Sequence, residues 1–431
     1  MLKENTFFKS TIILLIGGIF GKLVGFILKI IVTRHLGTEG MGLYSMLSPT
    51  SSLLSVIAVF SYSNAVSKLI SENESRAKDL FISIFPISIL INLIIIIIVI
   101  LFAPILSEYL LKEPSLYYPI ISLSLVMPFM SFSSIIKGYF WGKQNMAPYM
   151  LSNFIEQVVR LIIILLFIDY FISISLIHAL CFIILVNIIG EISSEIVMIL
   201  YMPKIKIKFK DLFNINFYNI KKIMNFCIPI TLSKILSSIS YFLEPILITN
   251  TLLYVGYTNE YIVYEYGIVN AYALSTLLMP EFFTQNMSTS LIPELSKNYK
   301  LNNIDLCKKR IKQIVLLSLL IGGLSTILIT IFPQFFLNIL YKTNEGVDYI
   351  RLLSPFTLLF YIENPLLNSL QALGKTKNIF NITIKTSIIR IISIIVLSLL
   401  KIGMYSLVLS IIIYLITTTY LYYREIKKTL R

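Results

Sequence analysis

Few side chains in this sequence have the chemistry to act on another molecule, and most are ionisable residues inside apolar runs. The cations there are Lys22, Lys29, Arg160, Lys234, Lys385 and Arg390, and the anions are Glu156, Glu191, Glu195, Glu244, Glu281 and Glu363. At the centre of a membrane-spanning helix such a residue costs about 2.5–3.5 kcal/mol on insertion scales, so each is expected to face a cavity or a partner. Lys22 and Lys29 lie two helical turns apart, about 10 Å along one face, where they could grip an anion. Gly17, Gly21 and Gly25 form a four-spaced stripe rotated from the lysines, which suits close approach by a second helix. Snorkelling to the interface accounts equally well for Lys29, whereas Lys22 stands mid-helix and is read as facing a wet cavity. Lys234 opens a polar stretch containing Ser233, Ser237, Ser238 and Tyr241, with Glu244 and Pro245 beyond, as in a lining helix.

The carboxylates divide by their neighbours. Glu156 and Arg160 are one helical turn apart and neutralise each other most simply as a structural pair. Glu281 follows Pro280 and Glu363 precedes Pro365, so both sit beside freed backbone carbonyls. That setting suits proton or sodium binding, and interhelical hydrogen bonding explains it as well. Glu191, Glu195, Lys385 and Arg390 pair readily or lie near a membrane face and are read as structural. His35 and His178 are isolated near the outer interface, and Cys181, Cys227 and Cys307 share no close spacing, so no metal site or disulfide framework is indicated. With no phosphate-cradling Gly-rich loop either, the chain is expected to be no enzyme and to carry no cofactor.

The elements that must position these residues are membrane spans. Of 431 residues 57% are hydrophobic and 13% charged, against roughly 45–50% and 25% in soluble domains. Spanning windows fall near 10–33, 45–67, 79–103, 117–141, 148–168, 173–201, 223–250, 264–292, 312–333, 347–372, 378–400 and 403–423, about twelve helices in an all-α polytopic membrane protein. Pro86, Pro128, Pro229, Pro280 and Pro355 are expected to kink their windows. Lys3 and Lys9 precede the first window as in a signal peptide, but no cleavage site follows, so it is read as a retained helix.

The net charge of +14 reports topology rather than a nucleic-acid partner. Of 36 Lys and Arg, 25, Lys137 among them, fall in segments that share the N-terminal side, five fall opposite, and six lie inside spans. Both termini are therefore expected in the cytoplasm. The longest basic connection alternates Lys with Ile and Phe and divides the chain into lobes 1–201 and 223–431, joined by the linker 202–222. Lying on anionic lipid is its simplest role. Two lobes that both start inside, with an even number of spans each, imply a parallel repeat. The echo of VSKLISEN (66–73) in LIPELSKN (291–298), and of Gly142-Lys143 in Gly374-Lys375, agrees with one.

Residues 22–44 (KLVGFILKIIVTRHLGTEGMGLY), 137–160 (KGYFWGKQNMAPYMLSNFIEQVVR), 228–256, 288–298 and 354–375 (SPFTLLFYIENPLLNSLQALGK) resemble, in order, the stage V sporulation protein B family of polysaccharide exporters. That family lies in the multidrug, oligosaccharidyl-lipid and polysaccharide (MOP) transporter superfamily. The resemblance implies a MATE-like fold, with two six-helix lobes around a cationic cavity that opens alternately inward and outward. It also implies a cargo, an undecaprenyl-pyrophosphate-linked sugar such as lipid II, whose pyrophosphate is held by Lys22, Lys29, Lys234 and Arg160. Glu156, Glu281, Glu363 and Glu244 are then the candidates for ion coupling or gating, with proton and sodium both open as the ion. The partners expected are the lipid-linked oligosaccharide and the bilayer, with the protein acting as a monomer. Lysine stands at Lys22 and Lys29 where the family commonly has arginine, giving point charges rather than forks for phosphate. Twelve helices rather than the fourteen of many relatives would leave out a tail-binding groove formed by a last pair. The competing expectations are a drug or organic-cation antiporter of the same superfamily, and a non-transporting scaffold of cell-wall synthesis.

Overall fold

The computed structural model describes residues 2–72, 77–143, 145–202 and 217–430, and within them all side chains except those of 2–19, 72, 77, 78, 217–219, 222, 233, 282, 283, 286, 287 and 289–293. Every regular element among the described residues is helical. In chain order the α-helices begin with α1 (Leu2–Val59), α2 (Tyr62–Glu72), α3 (Ala77–Pro104), α4 (Tyr117–Gly142), α5 (Ala147–Ile174), α6 (Leu176–Tyr201), α7 (Phe217–Val255) and α8 (Asn259–Gly267). There follow α9 (Ser275–Leu278), α10 (Glu281–Lys300), α11 (Ile304–Ile331), α12 (Pro333–Tyr341), α13 (Val347–Ala372), α14 (Thr376–Leu399) and α15 (Tyr405–Thr429). The linker stretch 203–216 and the Lys3 and Lys9 side chains lie outside the described residues.

Nine helical segments among the described residues are long and apolar enough to cross a membrane. Each of the twelve expected windows falls mostly on helix. One of the nine segments, Phe20–Ser71, spans most of two of them. The window 264–292 is cut by the break at Pro280, and 347–372 carries Glu363, Arg351 and two prolines, so neither reads as uniformly apolar. At 1.5 Å per residue α1 would measure about 87 Å, nearly three times the ~30 Å hydrocarbon core. It turns at Gly37, whose φ of 67° is the left-handed backbone that glycine adopts without a steric cost.

Helix runs unbroken through Pro86, Pro128, Pro229 and Pro355, and only Pro280 stands at a break, between α9 and α10. A proline removes one backbone donor, which a packed neighbour can compensate without ending the helix. The break between α1 and α2 instead falls at Phe60 and Ser61, with φ of 46° and 54°. Groups freed there are taken by other helices: Ser131 Oγ of α4 donates to the Ala58 carbonyl at 2.9 Å, and Thr231 Oγ1 of α7 to Ser61 Oγ at 3.2 Å.

The chain forms two compact units, one of Met1–Gly40 with Leu47–Phe242 and one of Met41–Met46 with Leu243–Arg431. In the first, α2, α3 and α6 pack on α4, and α5 packs on α6. In the second, α10, α11 and α15 pack on α13, and α14 packs on α15. The same order of neighbours recurs, as a parallel repeat requires. Each unit has its own buried core, around Tyr62, Ile84, Ile135 and Tyr139 in one and around Leu295, Cys307, Leu370 and Tyr422 in the other. The corresponding outer helices α3 and α11 each expose an aliphatic stripe, through Leu90, Leu93, Ile97 and Leu101 and through Leu316, Leu320, Leu324 and Ile327, as lipid-facing helices do.

Candidate functional site

The glycine stripe of α1 sets the first unit's basic residues in place. A Cβ on Gly21 would stand 2.7 Å from Asn153 Oδ1, and one on Gly25 3.3 Å from Gln157 Oε1. The backbone of α1 therefore lies directly on the face of α5 that carries these two residues, one turn apart. Lys22 and Lys29 sit on the flank of that contact with exposed side chains. Lys234 is likewise exposed on α7, as is Ser237, while the Ser233 side chain lies outside the described residues. All three lysines and Arg160 belong to the first unit, whose share of α7 ends at Phe242.

Arg160 is brought to Glu156, with Nη1 donating to Oε1 at 3.2 Å. Gly190 of α6 makes room for it, since a Cβ there would lie 2.6 Å from both Cγ and Cδ of Arg160. Beside this pair, Lys137 Nζ of α4 lies 3.8 Å from Glu191 Oε2 of α6 and 5.9 Å above the Tyr149 ring. Glu156 and Glu191 are buried, and Glu156 Oε2 and Glu195 Oε1 have no hydrogen-bond partner among the described residues. The inventory of α4, α5 and α6 here is three carboxylates against two cations.

The second unit gathers the other carboxylates. Glu244, 1% exposed, accepts hydrogen bonds from Arg390 of α14 and from the Tyr266 hydroxyl, the latter at 3.1 Å. The Arg390 guanidinium lies 5.2 Å over the Tyr414 ring, and Tyr414 points its hydroxyl at Glu363 Oε1, 3.5 Å away. At the α9–α10 break, Asn364 Nδ2 donates to Glu281 Oε1 at 2.8 Å and Tyr361 donates to the Leu277 carbonyl at 2.5 Å. The groups freed around Pro280 are thus met by side chains of α13.

Three features escaped the sequence. Lys137, placed in an inner segment, lies inside α4 as half of an ion pair, because its helix continues to Gly142. Arg390 and Glu244 are 146 positions apart and no local spacing joins them. His35 is not isolated: its Nε2 stands 3.5 Å from Asp169 at the far end of α5, while His178 Nδ1 is 2.7 Å from Ser175 Oγ. Among the described residues no three His, Cys, Asp or Glu side chains are grouped so as to hold a metal ion.

Residues 7–299 match the family described as polysaccharide biosynthesis protein, and residues 229–396 match MatE. The chain is 30% identical to stage V sporulation protein B of Bacillus subtilis (strain 168) over 383 residues, 86% of this chain and 74% of that protein. Among solved structures it resembles an inward-facing multidrug resistance MATE family transporter of the MOP superfamily, with a TM-score of 0.75, 13% identity and coverage of 95% of this chain and 94% of that one. It also resembles the lipid II flippase MurJ in an inward closed conformation, with a TM-score of 0.73, 16% identity and coverage of 97% and 89%. At these identities the structural likeness establishes the fold.

Proposed function

The chain belongs to the polysaccharide biosynthesis protein family and is a multi-pass membrane transporter of the MOP superfamily, and on that premise we propose that it moves an undecaprenyl-pyrophosphate-linked sugar, lipid II or a related polysaccharide precursor, across the cytoplasmic membrane by alternating access. The observation that carries this reading is the exposure of Lys22, Lys29 and Lys234 within apolar helices of one unit. A lysine at membrane depth is tolerated where it meets water or an anion. A pyrophosphate supplies the anion, and its polyprenyl tail stays in the bilayer.

In this account Lys22, Lys29 and Lys234 hold the pyrophosphate as three point charges, assisted by Arg160, which is paired with Glu156. Glu156, with one oxygen unbonded among the described residues, has acceptor capacity for a proton or sodium ion. Glu244, Glu281 and Glu363, each bonded to a neighbouring helix, act as gating positions. The Lys and Arg asymmetry of the sequence supports a cytoplasmic position for both termini, and in this account the protein works as a monomer.

The test is reconstitution into vesicles with a defined undecaprenyl-pyrophosphate sugar on one side. The expected result is protein-dependent appearance of the headgroup on the other side, without uptake of lipophilic cations. Cation exchange without precursor movement would instead make the protein a drug antiporter, and movement of neither would make it a scaffold.

A further inference from the structure

The second unit holds a groove of about 840 Å³ between α11, α13 and α15, away from every residue assigned above to the cargo. Its walls are apolar, with Val315 on α11, Leu359 and Ile362 on α13, and Ile416 on α15. Its lining also includes three lysines, and all three belong to one end. Lys308 and Lys312 are one turn apart at the start of α11, and Lys427 lies in the last turn of α15. The two ends are level, because Cys307 and Ile311 pack in the same buried cluster as Tyr422, Ile426 and Leu430.

We propose that this groove is a binding site for one acidic phospholipid, its phosphate on Lys308, Lys312 and Lys427 and its acyl chains along the apolar walls, in the leaflet on the side of the C-terminus.

Charge and depth together select that occupant. A basic pocket between spanning helices at the interface matches an anionic headgroup, with each lysine contributing attraction at close range. Lys308 Nζ lies 4.0 Å from Asp305 Oδ1, with that carboxylate fully exposed. An exposed pair of this kind is worth little and leaves the ammonium available to a phosphate. From Lys308 to Val315 is about 10 Å along α11, and from Lys427 to Ile416 about 16 Å along α15. A single leaflet is about 15 Å of hydrocarbon deep. The groove is therefore as deep as one leaflet, which suits acyl chains, whereas a polyprenyl chain is longer than a leaflet and would not be contained. Tyr420 and Tyr423 line the same groove, 60% and 57% exposed, where aromatic side chains sit at a membrane interface.

The experiment titrates the detergent-solubilised full chain with phosphatidylglycerol or phosphatidylcholine and counts retained lipid by native mass spectrometry. The wild type is expected to retain one phosphatidylglycerol in preference to phosphatidylcholine. Combining Lys308→Gln, Lys312→Gln and Lys427→Gln should weaken that retention by about tenfold or more, and the three Lys→Arg changes should preserve it. Filling the walls with Val315→Trp and Ile362→Trp should expel the lipid with every charge still in place. Equal retention of the two lipids by the wild type would overturn the proposal without any variant. So would loss with the glutamines but not the tryptophans, which means surface adsorption, or displacement by undecaprenyl pyrophosphate at equal concentration, which assigns the groove to cargo. Transport plays no part in the readout, so the site stands or falls apart from the proposed function.

Discussion

The two units share one order of helix packing and fill it with different polar interiors. In the first, two cations are spread across α4 and α5 and serve three carboxylates, as Lys137 on Glu191 and Arg160 on Glu156. In the second, Arg390 is the cation that bonds Glu244 and it lies against the Tyr414 ring, while the Tyr266 hydroxyl donates to Glu244 and the Asn364 amide to Glu281. A repeat thus preserves the apolar scaffold while its charged contents diverge, because packing depends on helix faces and charge pairing on single residues. The first arrangement is redundant and keeps unbonded carboxylate oxygens. The second is concentrated on one guanidinium.

That contrast orders the expected losses. Arg390→Met leaves Glu244 as a buried charge without its cation, and thermal unfolding in detergent should show a loss of about 3–5 kcal/mol. Adding Glu244→Gln to it should recover most of that loss, since the damage lies in the stranded charge. If the double variant were no more stable than the single one, the concentration of the second cluster on Arg390 would be refuted.

Arg160→Met should cost less, roughly 1–2 kcal/mol, because Lys137 also acts electrostatically on Glu156. An equal or greater loss than for Arg390→Met would abolish the distinction between redundant and concentrated pairing. The smallest effect belongs to Tyr266→Phe. It removes one hydrogen bond to Glu244 while Arg390 remains, and a decrease of about 1 kcal/mol or slightly more is expected in the same melting measurement.

How far this was legible in the sequence depends on whether a feature is local. Apolar runs longer than a leaflet pair located all twelve windows, and the Gly142-Lys143 and Gly374-Lys375 echoes stand at the starts of α5 and α14, corresponding helices of the two units. The glycine stripe foretold a close helix contact, and Asn153 and Gln157 provide it. The pair Glu156–Arg160 was visible because one helical turn joins it. Glu244–Arg390 was not, since only tertiary packing brings α7 to α14. The break at Phe60 and Ser61 was also hidden, having neither proline nor glycine to announce it and depending on Ser131 and Thr231 from distant helices.

The most direct test of the transport account is the rate at which reconstituted Lys22→Gln moves an undecaprenyl-pyrophosphate sugar across vesicles, at protein levels matched to wild type. With the exposed lysines gripping the pyrophosphate, translocation should fall to the protein-free rate while the melting temperature stays at that of the wild type. Translocation at the wild-type rate would contradict it.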